Sequence, residues 1–409
     1  MLVMEDARKT AWERYEALPW PARTDEEWRR TDPKVLPPLP ADPRTAQGSL
    51  RAGWETPPAE NIRSGVILTD LVTAEKQFPD LIEEHLFKTG EPEGLKKFVA
   101  LHQAVARQGL FCWVPDGVRV ELPLRGWIEA GPSTLRQAQD SGQALFPHVL
   151  IVVGQGSELT LVDERRPGPS GSEEPALSNE IVEISVGAGS VLRYVHLQRW
   201  NSSTSELFSQ RAILEKDSQF LNITVGLGGR MAKANVETVL RGPGARADLL
   251  GIFFEAGKQH FDFHTLQDHQ APNTYSNLLY KSALSDQSES IYTGLIRIAK
   301  QAQKSDAYQA NRNLLLSQGA KADSIPMLEI EADDVRCTHG VAVGPVDEEQ
   351  AFYLMSRGLS ATESERLIVE GFFEQILKRI PVGDLREQLA LEIQSRLSTH
   401  TETGKENQG

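Results

Sequence analysis

Two short stretches of this 409-residue chain carry residue types able to do chemistry. In Arg336-Cys-Thr-His-Gly340, Cys337 and His339 are two residues apart. On an extended strand that spacing puts both side chains on one face. They could form a thiolate–imidazole pair or offer two ligands to a shared metal site. The plainer alternative is a buried thiol beside a hydrogen-bonded imidazole, and residue types alone leave the choice open. The second stretch is His260-Phe-Asp-Phe-His264. As a strand it sets His260, Asp262 and His264 on one side, a nitrogen and oxygen ligand set in type, with Phe261 and Phe263 on the other. A rung with one polar and one apolar face explains the same pattern and is preferred.

Several other chemistries are excluded by missing motifs. There is no Gly-x-x-x-x-Gly-Lys-Ser/Thr phosphate loop, and no His-Glu-x-x-His, Cys-x-x-Cys, Gly-x-Ser-x-Gly or Gly-x-Gly-x-x-Gly. Gly226-Leu-Gly-Gly229 is taken as a turn, because Arg230-Met-Ala-Lys-Ala234 is not set up as a dinucleotide-binding helix. The two cysteines, Cys112 and Cys337, make no disulfide framework and cannot give four thiolates to a metal cluster. A net charge of −14 argues against nucleic acid or an anionic membrane as partner. With no apolar run near 18 residues and no signal-peptide core at the N-terminus, a cytoplasmic protein is expected.

The elements that must position these residues fall into three regions. Residues 1–110 read as helical with irregular joins: Glu5 to Leu18, Leu81 to Leu86 and Leu95 to Gln108 have helical spacing, and Val66 to Thr69 suits a short strand. His102 shares one face of the third helix with Leu95, Phe98, Val99 and Val105 and is read as a core or boundary histidine rather than a ligand. From 111 to 346, short β-branched runs alternate with Gly, Asp and Ser corners, without the helix-length segments a βαβ sheet needs. A Gly-x-Gly-Ser corner recurs at Gly154–Ser157 and Gly187–Ser190, with degenerate forms at 215–218, 242–245, 285–288, 303–305 and 317–320. The corner advances by 33, 28 and 27 residues before becoming irregular. That period predicts a mainly β protein with a parallel β-helix core, preferred over an antiparallel sandwich or jelly roll. Pro167 to Pro175 is a flexible excursion between coils.

Residues 347–400 predict a helical C-terminal domain, and 401–409 a disordered polar tail. Asp347 caps a first helix that closes at Gly358. Ser360-Ala-Thr-Glu363 is a capping box for a second helix running to Ile380, and Asp384 caps a third with Leu385, Leu389, Ile393 and Leu397 on one face. The second helix carries two apolar stripes, Ile368, Phe372, Ile376 and Ile380 beside Val369, Phe373 and Leu377. So wide an arc suits either a sandwiched helix or a face kept for a partner, with no preference between them.

Six motifs together resemble the SufB/SufD family of the SUF iron–sulfur cluster assembly system. They are Arg23-x-x-Glu-x-Trp-Arg-x-Thr31, Asn311-Arg-Asn-Leu-Leu-Leu316, Pro326-Met-Leu-Glu-Ile330, Ala332-Asp-Asp-Val-Arg-Cys-Thr-His-Gly340, Asp347-Glu-Glu-Gln-Ala-Phe-Tyr-Leu-x-Ser-Arg-Gly358 and Leu367-Ile-Val-Glu-Gly-Phe372. The resemblance implies a right-handed parallel β-helix between helical regions, pairing with a SufB paralogue through the β-helix, and a SufC ATPase held by the C-terminal helices. It implies that a cluster is assembled transiently at the SufB interface, with no cofactor held stably by this chain alone and reduced flavin reported for the family's complex. A homodimer in isolation is compatible with it. Ala320 stands where the SufB branch has its sulfur-accepting cysteine, and Gly340 where that branch has a carboxylate, which is the SufD pattern. On that pattern the subunit is not itself an enzyme. His339, with Cys337 beside it, is the candidate for the cluster-assembly interface and for transient iron ligation. Phe352, Tyr353, Arg357, Phe372 and Phe373 are the candidates for gripping the ATPase. Two rivals are a SufB-type scaffold and a β-helix carbohydrate-active enzyme using carboxylates such as Asp262 and Asp268.

Overall fold

The structure, a computed structural model, describes residues 2–40, 42–44, 50–55, 64–131, 143–168 and 176–406. From Gln108 to Pro345 the chain winds as a parallel β-helix of about seven turns, each turn giving one strand to each of two sheets. The first sheet runs β1 (Leu50–Trp54), β4 (Leu124–Ala130), β7 (Glu158–Arg166), β9 (Val191–Gln198), β11 (Gln219–Gly226), β13 (Arg246–Glu255), β15 (Tyr275–Leu284), β17 (Asp306–Leu315) and β19 (Arg336–Pro345). The second runs β2 (Ile67–Asp70), β3 (Gln108–Val114), β6 (Pro147–Val153), β8 (Ala176–Val186), β10 (Thr204–Leu214), β12 (Met231–Leu240), β14 (His260–His269), β16 (Glu289–Ile298) and β18 (Lys321–Ile330), with β5 (Gln143–Leu145) against β8. The expected β-helix is thus the architecture found. The N-terminal region is not wholly helical, however. Its strands β1 and β2 pair antiparallel with β4 and β3 and close one end of the solenoid.

One column of corners leads from the second sheet to the first. At successive turns Gly156, Gly189, Asp217, Gly244, Asn273 and Lys304 take φ between 55° and 75°. Gly, Asp and Asn tolerate that left-handed conformation at least cost. The next residue is small or hydroxylic, and where it is a serine its side chain ties the corner: Ser190 Oγ donates to Gly154 O (2.6 Å), Ser218 Oγ to Glu215 O (2.6 Å) and Ser305 Oγ to Ala302 O (2.8 Å). The corners at 285–288 and 317–320 belong to the opposite column, from the first sheet back to the second. Merging two columns, and missing Thr274, is why the repeat looked irregular. The expected excursion at 167–175 lies outside the described residues from 169 onward.

Alternate residues face the lumen, where Leu110, Ile151, Ile184, Phe208, Phe253, Phe261 and Tyr280 form one core. Each sheet's outer face has its own cover. Among the described residues there are seven helices, most of which contribute to that cover: α1 (Leu2–Ala17), α2 (Leu71–Gln77), α3 (Pro79–His85), α4 (Lys96–Val105), α5 (Glu348–Ser356), α6 (Ala361–Leu377) and α7 (Gly383–Glu406). On the first sheet, Val195, Ile223, Ile252 and Phe254 meet Val369, Phe373 and Ile376 of α6 and Leu385, Leu389 and Ile393 of α7. Each such buried side chain contributes roughly 1.5–3 kcal/mol. On the second sheet, Ile181, Leu207 and Met231 meet Trp28, Phe98 and Val99.

The C-terminal caps are largely as expected. Asp347 accepts from the amides of Glu349 and Gln350, and Ser360 and Glu363 make the reciprocal box. Three details differ. α6 ends at Leu377 rather than Ile380. Asp384 sits in the first turn of α7 and pairs with Arg125 of β4. The third helix continues to Glu406 instead of dissolving after 400, since extending a formed helix adds one bond per residue fixed; residues 407–409 lie outside the described ones. Among the described residues no helix is long and apolar enough to cross a membrane.

Candidate functional site at the open end of the solenoid

The solenoid is closed at its first turn and open at its last. β18 and β19 each end a sheet, with one edge unpaired among the described residues. Around them Met327 (42%), Leu328 (38%), Ile330 (42%), Val341 (45%) and Val343 (43%) are all exposed. Unpaired backbone and clustered exposed apolar side chains are what a protein normally covers.

Cys337 and His339 lie on β19, in register with Ala307 and Gln309 of β17. Both partners are buried, so Cys337 and His339 stand on the lumen-facing side of the last strand, with no further turn above them. The two behave differently. Cys337 is half-buried against the cluster of Ile296, Ile298, Ala302 and Ala307, and burial pushes its thiol up. A thiol so placed is a packing group at neutral pH. His339, by contrast, is exposed at the open end. No hydrogen bond joins the two side chains among the described residues. Ala320 is buried at the corner that opens β18.

The helical candidates separate in the same way. Phe352 (69% exposed) and Tyr353 (57%) stand out from α5, and Arg357 lies 5.1 Å from the Tyr353 ring centre. Leu367 of α6 is exposed too. Phe373 is fully buried against the solenoid and cannot grip a partner. Phe372 is half-buried, its ring under the ammonium of Lys281. The wide apolar arc of α6 is spent mainly on the chain's own first sheet.

His260, Asp262 and His264 do share a face, on the outside of the second sheet, with Phe261 and Phe263 in the lumen core. Their cation is already supplied. Lys233 Nζ donates to Asp262 Oδ2 at 2.6 Å, and Thr31 Oγ1 donates to the same oxygen at 2.5 Å. Burial alone would raise the Asp262 carboxyl, but Lys233 and His264 overcome it and hold the group below the usual carboxylate range. This is a clamp for the N-terminal segment: Lys233 also donates to Glu27 O (2.7 Å) and lies 5.1 Å from the Trp28 ring. A pocket of about 250 Å³ opens beside His264, floored by Leu266, Leu295 and Met327 and walled by Glu26, Glu27 and Arg30.

Two sites were missed in the sequence. In the lumen Asp163, Glu180 and His196 converge like a ligand set. The fully enclosed Arg165 guanidinium binds both carboxylates there, and Tyr194 adds its hydroxyl to Asp163 at 2.7 Å. On the outer face His102 Nε2 meets His148 Nδ1 at 3.0 Å, and His148 Nε2 meets Glu183 at 3.2 Å. Asp163 and Arg165 are local to β7, but Glu180 and His196, like His102, His148 and Glu183, come from separate elements that spacing along the chain does not join. Asp262 and Asp268 share β14 but lie six residues apart, roughly 20 Å along a strand. Glycosidase carboxylates work at about 5–9.5 Å, so this pair cannot serve one.

Comparison with known proteins reflects this arrangement. A family model described as SUF system FeS cluster assembly, SufBD core domain, matches residues 135–372, and a SufBD N-terminal region model matches 54–125. The chain belongs to the SufB/SufD family. The SufD protein of Bacillus subtilis is 31% identical over 81% of this chain and 74% of its own length. SufB of the same bacterium is 30% identical over 78% of this chain and 66% of itself. A SufBD family protein of Mycobacterium leprae is 35% identical over 63% of this chain and 66% of itself. The match to that mycobacterial relative therefore spans a little under two thirds of its length. Membership of the SufB/SufD family accounts for the solenoid and its helical flanks. Overall identity hardly separates the two branches, so the branch must be argued from individual positions.

Proposed function

We propose that this chain is a SufD-type subunit, a non-catalytic half of a shared iron–sulfur assembly site. The observation that carries this reading is the coincidence of an exposed His339 with an uncovered solenoid end. A SufB-type paralogue seated there would extend both sheets from β18 and β19 and bury Met327, Val341 and Val343. Its thiolates would then meet His339. Ala320 and Gly340, in place of the cysteine and carboxylate the resemblance gives to SufB, support sulfur being received on the partner while this chain supplies an imidazole.

The cluster is cargo rather than a resident cofactor, and reduced flavin, where the complex uses it, is read as belonging to the complex. Phe352 and Tyr353 on α5, with Arg357, form the surface proposed to hold a SufC-type ATPase. α6 and α7 are packed on the first sheet, so closure of an ATPase pair could move the solenoid end as a lever. Without the paralogue, two copies can meet through the same edges as a homodimer.

Co-expression with a SufB-type and a SufC-type protein tests the reading. A stable ternary complex is expected, with His339→Ala leaving it assembled but lowering cluster yield. Unchanged yield would remove His339 from the site. The near-equal similarity to a SufB protein keeps one other reading, a SufB-type scaffold. Sulfur transferred from a desulfurase onto a cysteine of this chain would favour that scaffold.

A further inference from the structure

Directly below His339 in the parallel ladder is Gln309. The two side chains project from the same face of adjacent strands whose backbones are about 4.8 Å apart. Gln309 is 1% exposed. Its Nε2 donates to the carbonyl oxygen of Gly294 at 3.1 Å, which fixes the direction of the amide. Its Oε1 is buried and accepts no hydrogen bond among the described residues. A β-carbon at position 294 would stand 2.3 Å from the Tyr292 hydroxyl oxygen and 2.6 Å from Gln309 Oε1, so the amide and the phenol meet over Gly294. Leaving a buried amide oxygen without a donor is costly, because its desolvation goes uncompensated. The nearby Tyr292 hydroxyl is engaged by Thr265 Oγ1 at 2.9 Å, and the register partner of Gln309 in the turn above is His339.

Among the described residues Asn313 Oδ1 is likewise without a partner, but its neighbourhood differs. Asn313 Nδ2 donates to Asn311 Oδ1 at 2.7 Å, and Ser324 donates to that oxygen as well. Their register partners on β19 are Val343 and Val341, which have no side-chain hydrogen to give. Gln309 alone of the three lies beneath a residue with an N–H.

We propose that Gln309 is the positioning residue for His339. Its Oε1 accepts the N–H of one imidazole nitrogen, which assigns the tautomer and leaves the lone pair of the other nitrogen directed out of the open end. The inference rests on the reading of His339 as the residue that meets the nascent cluster. An imidazole held in this way is ready to ligate a borderline cation such as ferrous iron, because its orientation and tautomer are set beforehand. A neutral amide suits the task. It accepts the hydrogen bond without the negative charge that would favour an imidazolium, whose nitrogens cannot ligate.

The test uses the full-length chain with 15N-labelled histidine, the His339 signals being assigned by their loss in His339→Ala. A single dominant tautomer is expected in the wild type. Gln309→Met, close in size but without the acceptor, should populate both tautomers and lower iron retention in the reconstituted complex about tenfold. Gln309→Glu, which keeps an acceptor oxygen, should preserve the tautomer and move the His339 titration to higher pH. Tautomer and titration unchanged in both variants would overturn the proposal. If His339→Ala abolishes cluster assembly while Gln309→Met alters neither tautomer nor yield, this inference fails and the site reading survives. If Gln309 controls the tautomer but His339→Ala costs no assembly, the positioning holds and the site reading falls.

Discussion

Lys281 of β15 donates to the backbone oxygen of Phe372 in α6 at 2.6 Å, and its ammonium lies 4.8 Å from the centre of the Phe372 ring. One cation thus pins the C-terminal helices to the first sheet. Burial first, and Arg312 second, pull the Lys281 pKa down to about 8 from its ordinary 10.5. Below pH 8 both folded and unfolded chains carry the charge, and its burial penalty is present in full. Between pH 8 and 10.5 the unfolded chain binds more protons, so this group makes stability rise with pH. Lys281→Met, which keeps the aliphatic stem, should remove that rise. The measurement is the difference in unfolding free energy between wild type and variant from pH 7 to 10; a constant difference would show that the ammonium is not held in a buried setting.

Phe373 and Phe352 should part company on substitution. Phe373→Ala opens a cavity between α6 and the solenoid and should cost about 3–5 kcal/mol in denaturant unfolding. Phe352→Ala should leave stability within about 0.5 kcal/mol while weakening the binding of a SufC-type ATPase. Equal affinity for wild type and Phe352→Ala in calorimetry would place the ATPase elsewhere.

Arg165 is closed inside the lumen between Asp163 and Glu180. Arg165→Met strands two buried carboxylates and should destabilise the chain by about 3–5 kcal/mol. Removing all three charges together, with Asp163→Asn and Glu180→Gln added, should recover much of that loss. A single-variant cost under about 1 kcal/mol by urea unfolding would contradict a fully desolvated pair.

At the open end, Val343→Asp and Met327→Asp place charge where the proposed partner's sheet would continue. Both residues are already exposed, so the isolated chain should keep its stability. Pairing with a SufB-type protein should fall by at least about tenfold for either variant, since an unpaired charge in an interface core costs more than about 1.4 kcal/mol. Size-exclusion chromatography with an unchanged complex peak would mean that the partner docks on another face.

Local chemistry was enough to read some of these elements from the residues alone. The capping box at Ser360 and Glu363, the helix stop at Gly358 and the small residue at each solenoid corner are decided by groups within a few positions of one another, and all recur in the fold. The alternation that sets Phe261 and Phe263 opposite His260, Asp262 and His264 is equally local.

What faces across turns needed the tertiary structure. The stripe containing Phe373 announces burial, but its counterpart, Ile252 and Phe254, lies more than a hundred residues away. Thr31 and Lys233 complete the environment of Asp262 from two other elements, turning a metal-like triad into an ion-paired clamp. Cys337 and His339 were visible as a pair on one strand face. That this strand is the last, so that the histidine is exposed while the cysteine packs inward, follows from where the solenoid stops. Spacing along a strand can determine only which residues share a face; which face is left uncovered depends on the number of turns stacked beneath it.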